Sequence, residues 1–191
     1  MPAALPRLAA ARVLALLLAL LAGPAGASEA AWQALRGGGV VALMRHARAP
    51  GVGDPAGFRL EDCATQRNLS AEGRDQARRI GEAFRAQGIA VARVLSSRWC
   101  RALDTARLAF GTVEPFPPLD SFFSEREQAP QQTQQVHQTV AEWGGRAGVL
   151  ALVTHQVNIT ALTRLNPAEG EVIVLRPAPG RGFEVVGSVR F

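Results

Sequence analysis

Two short, unbroken apolar segments, each followed directly by basic or imidazole side chains, dominate the pattern of the sequence. Residues 39–44 (GVVALM) precede Arg45 and His46. Residues 148–154 (GVLALVT) precede His155. Apolar runs of this length that begin at a glycine are typical of strands buried on both faces of a parallel sheet. Because ligands bind at the carboxyl ends of such strands, we expect His46 and His155 to lie at one edge of the sheet.

Strand-like and helix-like segments alternate along the rest of the chain. Apolar runs predict strands at residues 39–44, 91–96, 113–116, 148–154, 171–175 and 183–189. Periodic apolar positions and capping residues predict helices at residues 70–87, 100–110, 131–143 and 157–164. This alternation is typical of an α/β protein, a three-layer sandwich with a mostly parallel central sheet and helices on both faces. The long loop 47–69, after the first strand, is a place where such proteins carry function.

Residues 1–27 differ in composition from the remainder and have the features of a secretory signal peptide. Two arginines precede the apolar run at residues 13–22, and Ala25–Ala27 offers the small residues of a signal peptidase site. This run is too short for a transmembrane helix, which needs roughly 20 residues. We therefore predict cleavage before Ser28 and one domain over residues 28–191. The mature protein would be periplasmic or secreted, with no stable membrane insertion after cleavage.

The positive charge of the chain is carried in an unusual way. All 21 basic residues are arginine, and the formal net charge is +5. The arginines are spread along the chain, with no polybasic run and no alternation with aromatic residues. Nucleic acid is therefore not predicted as a partner. The excess of arginine favours an anionic substrate instead.

The cysteines bear on disulfide and metal sites. Cys63 and Cys100 could form one disulfide in an oxidising compartment, or remain two unpaired, small apolar side chains, and their spacing decides neither. Together with His46 and His155 they lack the compact spacing of a zinc site. The neighbouring arginines would also repel a cation. The sequence therefore predicts no metal and no cofactor.

The residues at the predicted strand ends suit chemistry at phosphorus. A neutral imidazole is a good nucleophile toward phosphorus, and an arginine fork matches phosphate oxygens in bidentate geometry. A second imidazole, when protonated, stabilises charge on the transferring group. The first strand is followed by Arg45 and His46, the second by Arg98 and Arg101, and a late strand by His155. These side chains predict one phosphoryl-binding pocket.

Four segments, in this order, resemble the histidine phosphatase superfamily in its short, phosphoglycerate mutase-like branch: residues 43–47 (LMRHA), 68–77 (NLSAEGRDQA), 97–106 (SRWCRALDTA) and 153–155 (VTH). The resemblance covers most of residues 28–191 and implies the phosphoglycerate mutase-like α/β fold. It also implies that His46 is the nucleophile that becomes a phosphohistidine. Arg45, Arg101 and His155 would then bind the phosphoryl oxygens.

Other positions are less well defined by the resemblance. Arg48, two residues after His46, is a further candidate for phosphate binding, or else a solvent-facing side chain. The identity of the general acid is left open: Glu125 or Asp120 could supply the leaving-group proton, or neither does. Gln156 stands where the longer acid phosphatases of the superfamily carry aspartate. Glutamine cannot protonate a leaving group, so their His-Asp mechanism does not transfer.

Together these observations predict an exported, metal-independent phosphatase that hydrolyses phosphate esters through a phosphohistidine on His46. Its substrate would be a small phosphorylated molecule, with an envelope sugar phosphate as a reasonable class. The alternative is a non-catalytic phosphate-binding module on the same fold. Alanine in place of the family's glycine at Ala47, together with Gln156, motivates that alternative.

Overall fold

The structure, a computed structural model, describes residues 24–178 and 180–191 of the chain. Most of the predicted signal peptide, including its apolar run, lies outside the described residues, so its cleavage stays a prediction. The first described helix, α1 (Pro24–Gly37), contains the predicted cleavage point after Ala27. Within the described part, no helix has both the length and the hydropathy needed to cross a membrane.

Helices and strands alternate after α1. The helices are α2 (Ala71–Ala86), α3 (Cys100–Phe110), α4 (Ala129–Glu142) and α5 (Gln156–Thr163). The strands are β1 (Val41–Arg45), β2 (Val91–Ser96), β3 (Glu114–Pro115), β4 (Val149–Thr154), β5 (Val172–Ala178) and β6 (Gly182–Val189). Each predicted helix and strand overlaps an observed one, whereas α1 lies outside the predicted elements.

The strands form one six-stranded sheet in the order β3-β2-β4-β1-β5-β6. Neighbours among β3, β2, β4 and β1 are parallel, whereas β5 runs antiparallel to both β1 and β6. The predicted α/β class with a mostly parallel sheet is thus confirmed. Strand β1 pairs with β4 so that Arg45 lies beside Thr154. The residues that follow these two, His46 and His155, therefore leave the sheet side by side.

Side chains alternate along the buried strands and give the sheet two apolar faces. The face that carries α1, α2 and α3 buries, among others, Leu35, Met44, Ile80, Phe84 and Val153. The face that carries α4 and α5 buries, among others, Leu43, Val136, Val140, Leu152 and Ile159. Strand β4 is buried along its whole length, as its apolar run predicts. The three-layer sandwich places the central strand ends between both helical layers.

Helix α2 begins at a capping residue and lies very close to its neighbours. Ser70 is the N-cap, and its Oγ accepts the amide of Gly73 at 3.1 Å. A Cβ atom added to Gly73 would collide with the backbone oxygen of Arg48, and one added to Gly81 would collide with that of Ala109. The two glycines therefore let α2 lie against the loop that leaves β1 and against α3.

Candidate active site

His46 and His155 lie side by side at the carboxyl edge of the sheet. Their ring centroids are 5.4 Å apart, with the rings inclined at 64°. Both residues are buried, with 2% and 3% of their surfaces exposed. The amide of His46 donates to the carbonyl oxygen of Thr154 at 2.9 Å, which continues the pairing of β1 with β4. The structure thus brings together the two histidines that the sequence singles out.

A backbone hydrogen bond fixes the tautomer of His46. Its Nδ1 donates to the carbonyl oxygen of Ala47 at 2.8 Å, because that oxygen can only accept. Burial lowers the pKa of His46 to about 3; the bond to Ala47 partly opposes this effect, and three nearby arginines add to it. The imidazole is therefore neutral at physiological pH. Its Nε2 carries the lone pair that a nucleophile requires.

His155 is also held neutral. Its Nε2 lies 2.7 Å from the Oγ of Ser97. Burial lowers the pKa of His155 well below the usual value for histidine, and the nearby His46 and arginines lower it further. The protonated second imidazole that the sequence suggests is therefore disfavoured in the free site. Its Nδ1 is buried and has no hydrogen-bond partner among the described residues.

Arg101, the second residue of α3, is clamped by Asp54. Nη1 donates to Oδ1 at 2.7 Å and Nη2 donates to Oδ2 at 3.1 Å, and both side chains are almost fully buried. Asp54 also accepts the indole N–H of Trp99 at 2.9 Å and the amide of Arg67 at 3.1 Å. Burial alone raises the pKa of Asp54, but the hydrogen bond and charge of Arg101 outweigh it and lower the pKa. The ionised carboxylate therefore fixes the direction of the guanidinium group.

Two further arginines add positive charge to the site. Arg45 donates to the carbonyl oxygen of Pro167 at 3.0 Å and lies 3.8 Å from the carboxylate of Glu169. Arg67 donates through Nε to the carbonyl oxygen of Gly53 at 2.7 Å. Burial lowers the pKa of both guanidinium groups, because it disfavours their charged forms. An anion that enters the site would offset this cost.

These side chains surround a cavity of about 180 Å³ that opens to solvent and is lined by Arg45, His46, Arg67, Arg101 and His155. Three buried polar atoms of the lining residues lack a hydrogen-bond partner in the described part of the chain: Nε of Arg45, Nε of Arg101 and Nδ1 of His155. The N-terminal ends of α3 and α5 also border the cavity and add partial positive charge. The cavity therefore suits an anion with several oxygens.

A disulfide ties the long loop to α3 beside this cavity. Cys63 and Cys100 are bonded, with their Cα atoms 5.7 Å apart, which decides between the two alternatives that the sequence leaves open. Cys63 lies in the loop that carries Asp54 and Arg67, and Cys100 directly precedes Arg101. The covalent bond thus joins the two segments that meet in the Asp54–Arg101 ion pair.

The two predicted candidates for the general acid occupy different environments. Glu125 is exposed at the mouth of the cavity, where its carboxylate accepts a hydrogen bond from the side chain of Gln128. Asp120 is buried and does not line the cavity. Its carboxylate accepts hydrogen bonds from the amide of Arg98 at 2.8 Å and from Nε of Arg98 at 2.7 Å, so it anchors the turn after β2.

Among the described residues, no three histidine, cysteine or acidic side chains gather in a way that could hold a metal ion.

Of the two alternatives that the sequence leaves open for Arg48, the structure shows the solvent-facing side chain. Arg48 is exposed and does not line the cavity. Its amide donates to the side chain of Gln76 at 3.0 Å and its carbonyl oxygen accepts the amide of Ser70 at 3.1 Å, so α2 holds this backbone while the side chain faces solvent. Arg67, which the sequence does not single out, lines the cavity instead. The available signal was its position in the long loop, directly before residues 68–77.

The carboxyl edge of this α/β sheet holds two neutral histidines and three arginines around one cavity. Such a site is suited to receive a phosphoryl group on a histidine nitrogen. The family model of the histidine phosphatase superfamily (branch 1) matches residues 41–127, which include His46, Arg67 and Arg101. Three of the four segments that resemble this superfamily in the sequence, at residues 43–47, 68–77 and 97–106, lie within the matched residues. No curated protein sequence matches the chain.

Solved structures with this fold cover most of the chain at low sequence identity. The protein histidine phosphatase SixA, complexed with tungstate, has a TM-score of 0.55 and 15% identity over 78% of this chain and 96% of its own. Rv3214 from Mycobacterium tuberculosis has a TM-score of 0.58 and 17% identity over 76% of this chain and 94% of its own. The alpha-ribazole phosphatase from Shigella flexneri has a TM-score of 0.53 and 14% identity over 75% of this chain and 92% of its own. These likenesses show the shared fold.

Proposed function

We propose that the protein is a phosphatase that hydrolyses phosphate monoesters through a phosphohistidine on His46. One observation carries this proposal: the buried imidazole of His46 is neutral, keeps Nε2 free, and lines a cavity that three arginines share. The match of residues 41–127 to the family model of the histidine phosphatase superfamily supports the same reaction. Roles for Arg45, Arg101 and His155 follow from their positions in the cavity.

The reaction would proceed in two displacements at phosphorus. First, Nε2 of His46 attacks the phosphorus atom, the bond to the ester oxygen breaks, and that oxygen leaves with the electron pair and takes up a proton. Second, a water molecule attacks phosphorus, the P–N bond breaks, and the lone pair returns to His46 as phosphate leaves. The guanidinium groups of Arg45 and Arg101 would stabilise the equatorial oxygens in both steps.

His155 would bind a phosphoryl oxygen as a neutral donor. If the Oγ–H of Ser97 donates to Nε2 across their 2.7 Å contact, the ring proton lies on Nδ1. That nitrogen is buried and has no partner in the described structure, so a phosphoryl oxygen would complete its hydrogen bonding. A bound dianion would also raise the pKa of His155, because opposite charge favours the protonated ring.

Glu125 is our candidate for the group that protonates the leaving oxygen. It lines the mouth of the cavity, whereas Asp120 anchors a turn elsewhere and Asp54 is paired with Arg101. Its carboxylate is exposed to water and already accepts a hydrogen bond from Gln128, so Glu125 would assist only modestly. Substrates with good leaving groups are therefore favoured.

Export, metal independence and the substrate class belong to the same proposal. The Cys63–Cys100 disulfide supports a periplasmic or secreted location, since disulfides persist in oxidising compartments. Three arginines provide the positive charge that metal ions supply in other phosphoryl-transfer sites. The cavity suits a small phosphorylated molecule. An envelope sugar phosphate, the class that the sequence suggests, would need more help from a general acid than Glu125 offers.

The test is hydrolysis of 4-nitrophenyl phosphate by the protein without its first 27 residues, in the presence of EDTA. We expect turnover that resists EDTA and falls by roughly 10⁴-fold in His46→Ala, because the nucleophile is lost. His137→Ala is the matched control, since His137 is exposed on α4 and does not line the cavity. An acid-labile phosphoenzyme in the wild type, absent from His46→Ala, would identify the intermediate.

A non-catalytic phosphate-binding module is the second candidate. It is favoured by Gln156, which lines the cavity and cannot donate a proton as an acid would, and by the exposure of Glu125. Inorganic phosphate would then raise the melting temperature in a saturable way, with no hydrolysis of any phosphate ester. Turnover that depends on His46 would reject this candidate.

A further inference from the structure

We propose that the substrate is an aryl phosphate, a phosphate monoester whose leaving group is an apolar aromatic alcohol. This inference rests on the proposed phosphatase function and names the substrate class of the same site. It is drawn from the mouth of the cavity, the part that would contact the leaving group after the phosphoryl group has reached the arginines.

The mouth exposes apolar side chains that a polar substrate would not need. Val52 is 88% exposed and Phe123 is 42% exposed, and both line the cavity. They are two of the four large apolar side chains that stand out as exposed in the described part of the chain, the others being Leu165 and Val185. Phe123 lies close to Gly53, within the loop that carries Val52. Apolar side chains gathered at the entrance to a site mark a surface that an apolar ligand covers.

An aromatic wall connects this mouth with the catalytic histidines. The ring of Trp99 lies 5.5 Å from that of His155 on one side and 5.7 Å from that of Phe58 on the other. The hydrogen bond from Trp99 Nε1 to Asp54, 2.9 Å long, fixes the orientation of the indole. Ring centroids at such separations belong to favourable aromatic arrangements, and a further aromatic ring can extend them. The wall is therefore preorganised for a flat, apolar leaving group.

The acidic residues around the cavity favour the same class of substrate. Asp54 is held ionised by Arg101, so it cannot protonate a departing oxygen. Glu125 is exposed to water and already accepts a hydrogen bond from Gln128. A phenol oxygen, with a pKa of about 10, leaves as an anion far more readily than the alkoxide of a sugar hydroxyl. An aryl phosphate can therefore react with little help from a general acid.

The step balances without any additional reactant. Nε2 of His46 forms the bond to phosphorus while the bond to the aryl oxygen breaks, and the electron pair leaves on the aryloxide, which takes a proton from water.

A sugar phosphate would fit the same mouth less well. Its hydroxyl groups would lose hydrogen bonds to water against Val52, Phe58 and Phe123, and that loss is unfavourable.

The experiment compares leaving groups that differ in apolar area but hardly in acidity. Phenyl phosphate and 4-butylphenyl phosphate form such a pair, with glucose 6-phosphate, a phosphohistidine peptide and acetyl phosphate measured beside them. We expect kcat/KM to be about tenfold higher for 4-butylphenyl phosphate, mainly through KM, because a fully buried methylene contributes roughly fourfold and the mouth covers only part of the chain. Glucose 6-phosphate and the peptide should be poorer substrates than phenyl phosphate.

Variants test whether the preference for 4-butylphenyl phosphate comes from side chains at the mouth of the cavity. In the double variant Val52→Ser/Phe123→Ser, the tenfold ratio between the two aryl phosphates should fall to about twofold, since the side chains that contact the butyl group are lost. Val185→Ser is the matched control: Val185 is 43% exposed, on β6, and does not line the cavity. It should retain the wild-type ratio.

The outcomes separate this inference from the function on which it rests. Equal values for the two aryl phosphates, or faster hydrolysis of glucose 6-phosphate or the phosphohistidine peptide, would overturn the inference and leave a phosphatase of another substrate class. An unchanged ratio in Val52→Ser/Phe123→Ser would overturn the assigned contacts. If the wild type hydrolyses none of these compounds, acetyl phosphate included, the proposed function fails and the inference fails with it.

Discussion

Asp54 holds Arg101 through a buried, bidentate ion pair, although the two residues lie 47 positions apart in the chain. The partners come from different segments, the long loop after β1 and the first turn of α3. The Cys63–Cys100 disulfide joins the same two segments. The loop is therefore part of the site, because it sets the position of an arginine that lines the cavity.

Replacement of Asp54 tests this relationship. Asp54→Asn should lower kcat/KM by about 10- to 100-fold, because Arg101 loses the charge that directs it and a displacement of about 1 Å is costly in catalysis. It should also lower the free energy of unfolding by about 2 kcal/mol, since a buried charge loses its partner. Steady-state kinetics and urea denaturation measure the two effects.

A matched control lies in the same loop. Asp62→Asn removes a charge that pairs with Arg59 at the surface, and the expected changes are within about twofold in activity and about 0.5 kcal/mol in stability. If Asp54→Asn were as active as the wild type, Asp54 would not position Arg101 for the reaction.

Reduction of the disulfide should weaken both stability and activity. The bond spans 37 residues, and loss of such a cross-link costs about 3–4 kcal/mol in the chain-entropy view. The free loop would also hold Asp54 and Arg67 less firmly, so turnover should fall. The measurement is activity and denaturant unfolding with and without dithiothreitol. In Cys63→Ser/Cys100→Ser, dithiothreitol should have no further effect, and full activity of this variant would contradict the role given to the bond.

The buried histidines predict how stability depends on pH. The folded-state pKa of His46 is about 3 and that of His155 is also lowered, whereas a histidine in the unfolded chain titrates near pH 6.5. Between these values only the unfolded state binds the proton, so the free energy of unfolding falls as pH falls below about 6.5. Each histidine should contribute about 1 kcal/mol per pH unit between pH 6 and pH 5.

Urea denaturation at pH 7, 6 and 5 measures this dependence. His46→Asn should reduce the slope, because one of the two groups is removed. His137→Asn should keep the wild-type slope, since that side chain is exposed on α4. A slope unchanged in His46→Asn would show that this imidazole is not held neutral in the folded protein.

Gly73 allows α2 to lie against the backbone of Arg48, two residues after His46. Gly73→Ala would force its new Cβ into the carbonyl oxygen of Arg48. We expect a loss of about 2 kcal/mol in the free energy of unfolding, as for other overpacked contacts, together with reduced activity. Gly37→Ala is the control: Gly37 lies in α1 with open space around it, so alanine should be neutral or slightly stabilising. A stable, fully active Gly73→Ala would contradict the close contact.

The order of elements and the two histidines could be predicted because their signals are local. An apolar run bounded by glycine indicates a buried strand wherever it occurs, and the residue after it falls at the sheet edge. Ser70 likewise marks the start of α2, since an N-cap bonds within its own turn. The strand ends also indicated Arg45 and Arg101, and the family segments implied that these two arginines bind the phosphoryl oxygens. For Arg48 the sequence left two alternatives open, because nearness in sequence to His46 does not fix the direction of a side chain.

The sequence by itself determined which side chains stand at the ends of β1 and β4, because strand periodicity and burial depend on neighbouring residues. Only the tertiary structure decided that Asp54 clamps Arg101, that Arg67 and Trp99 complete the site, and that Cys63 bonds to Cys100. These contacts join a long irregular loop to a helix far along the chain. A loop has no repeating pattern that fixes its path, so its conformation follows from the long-range contacts it makes.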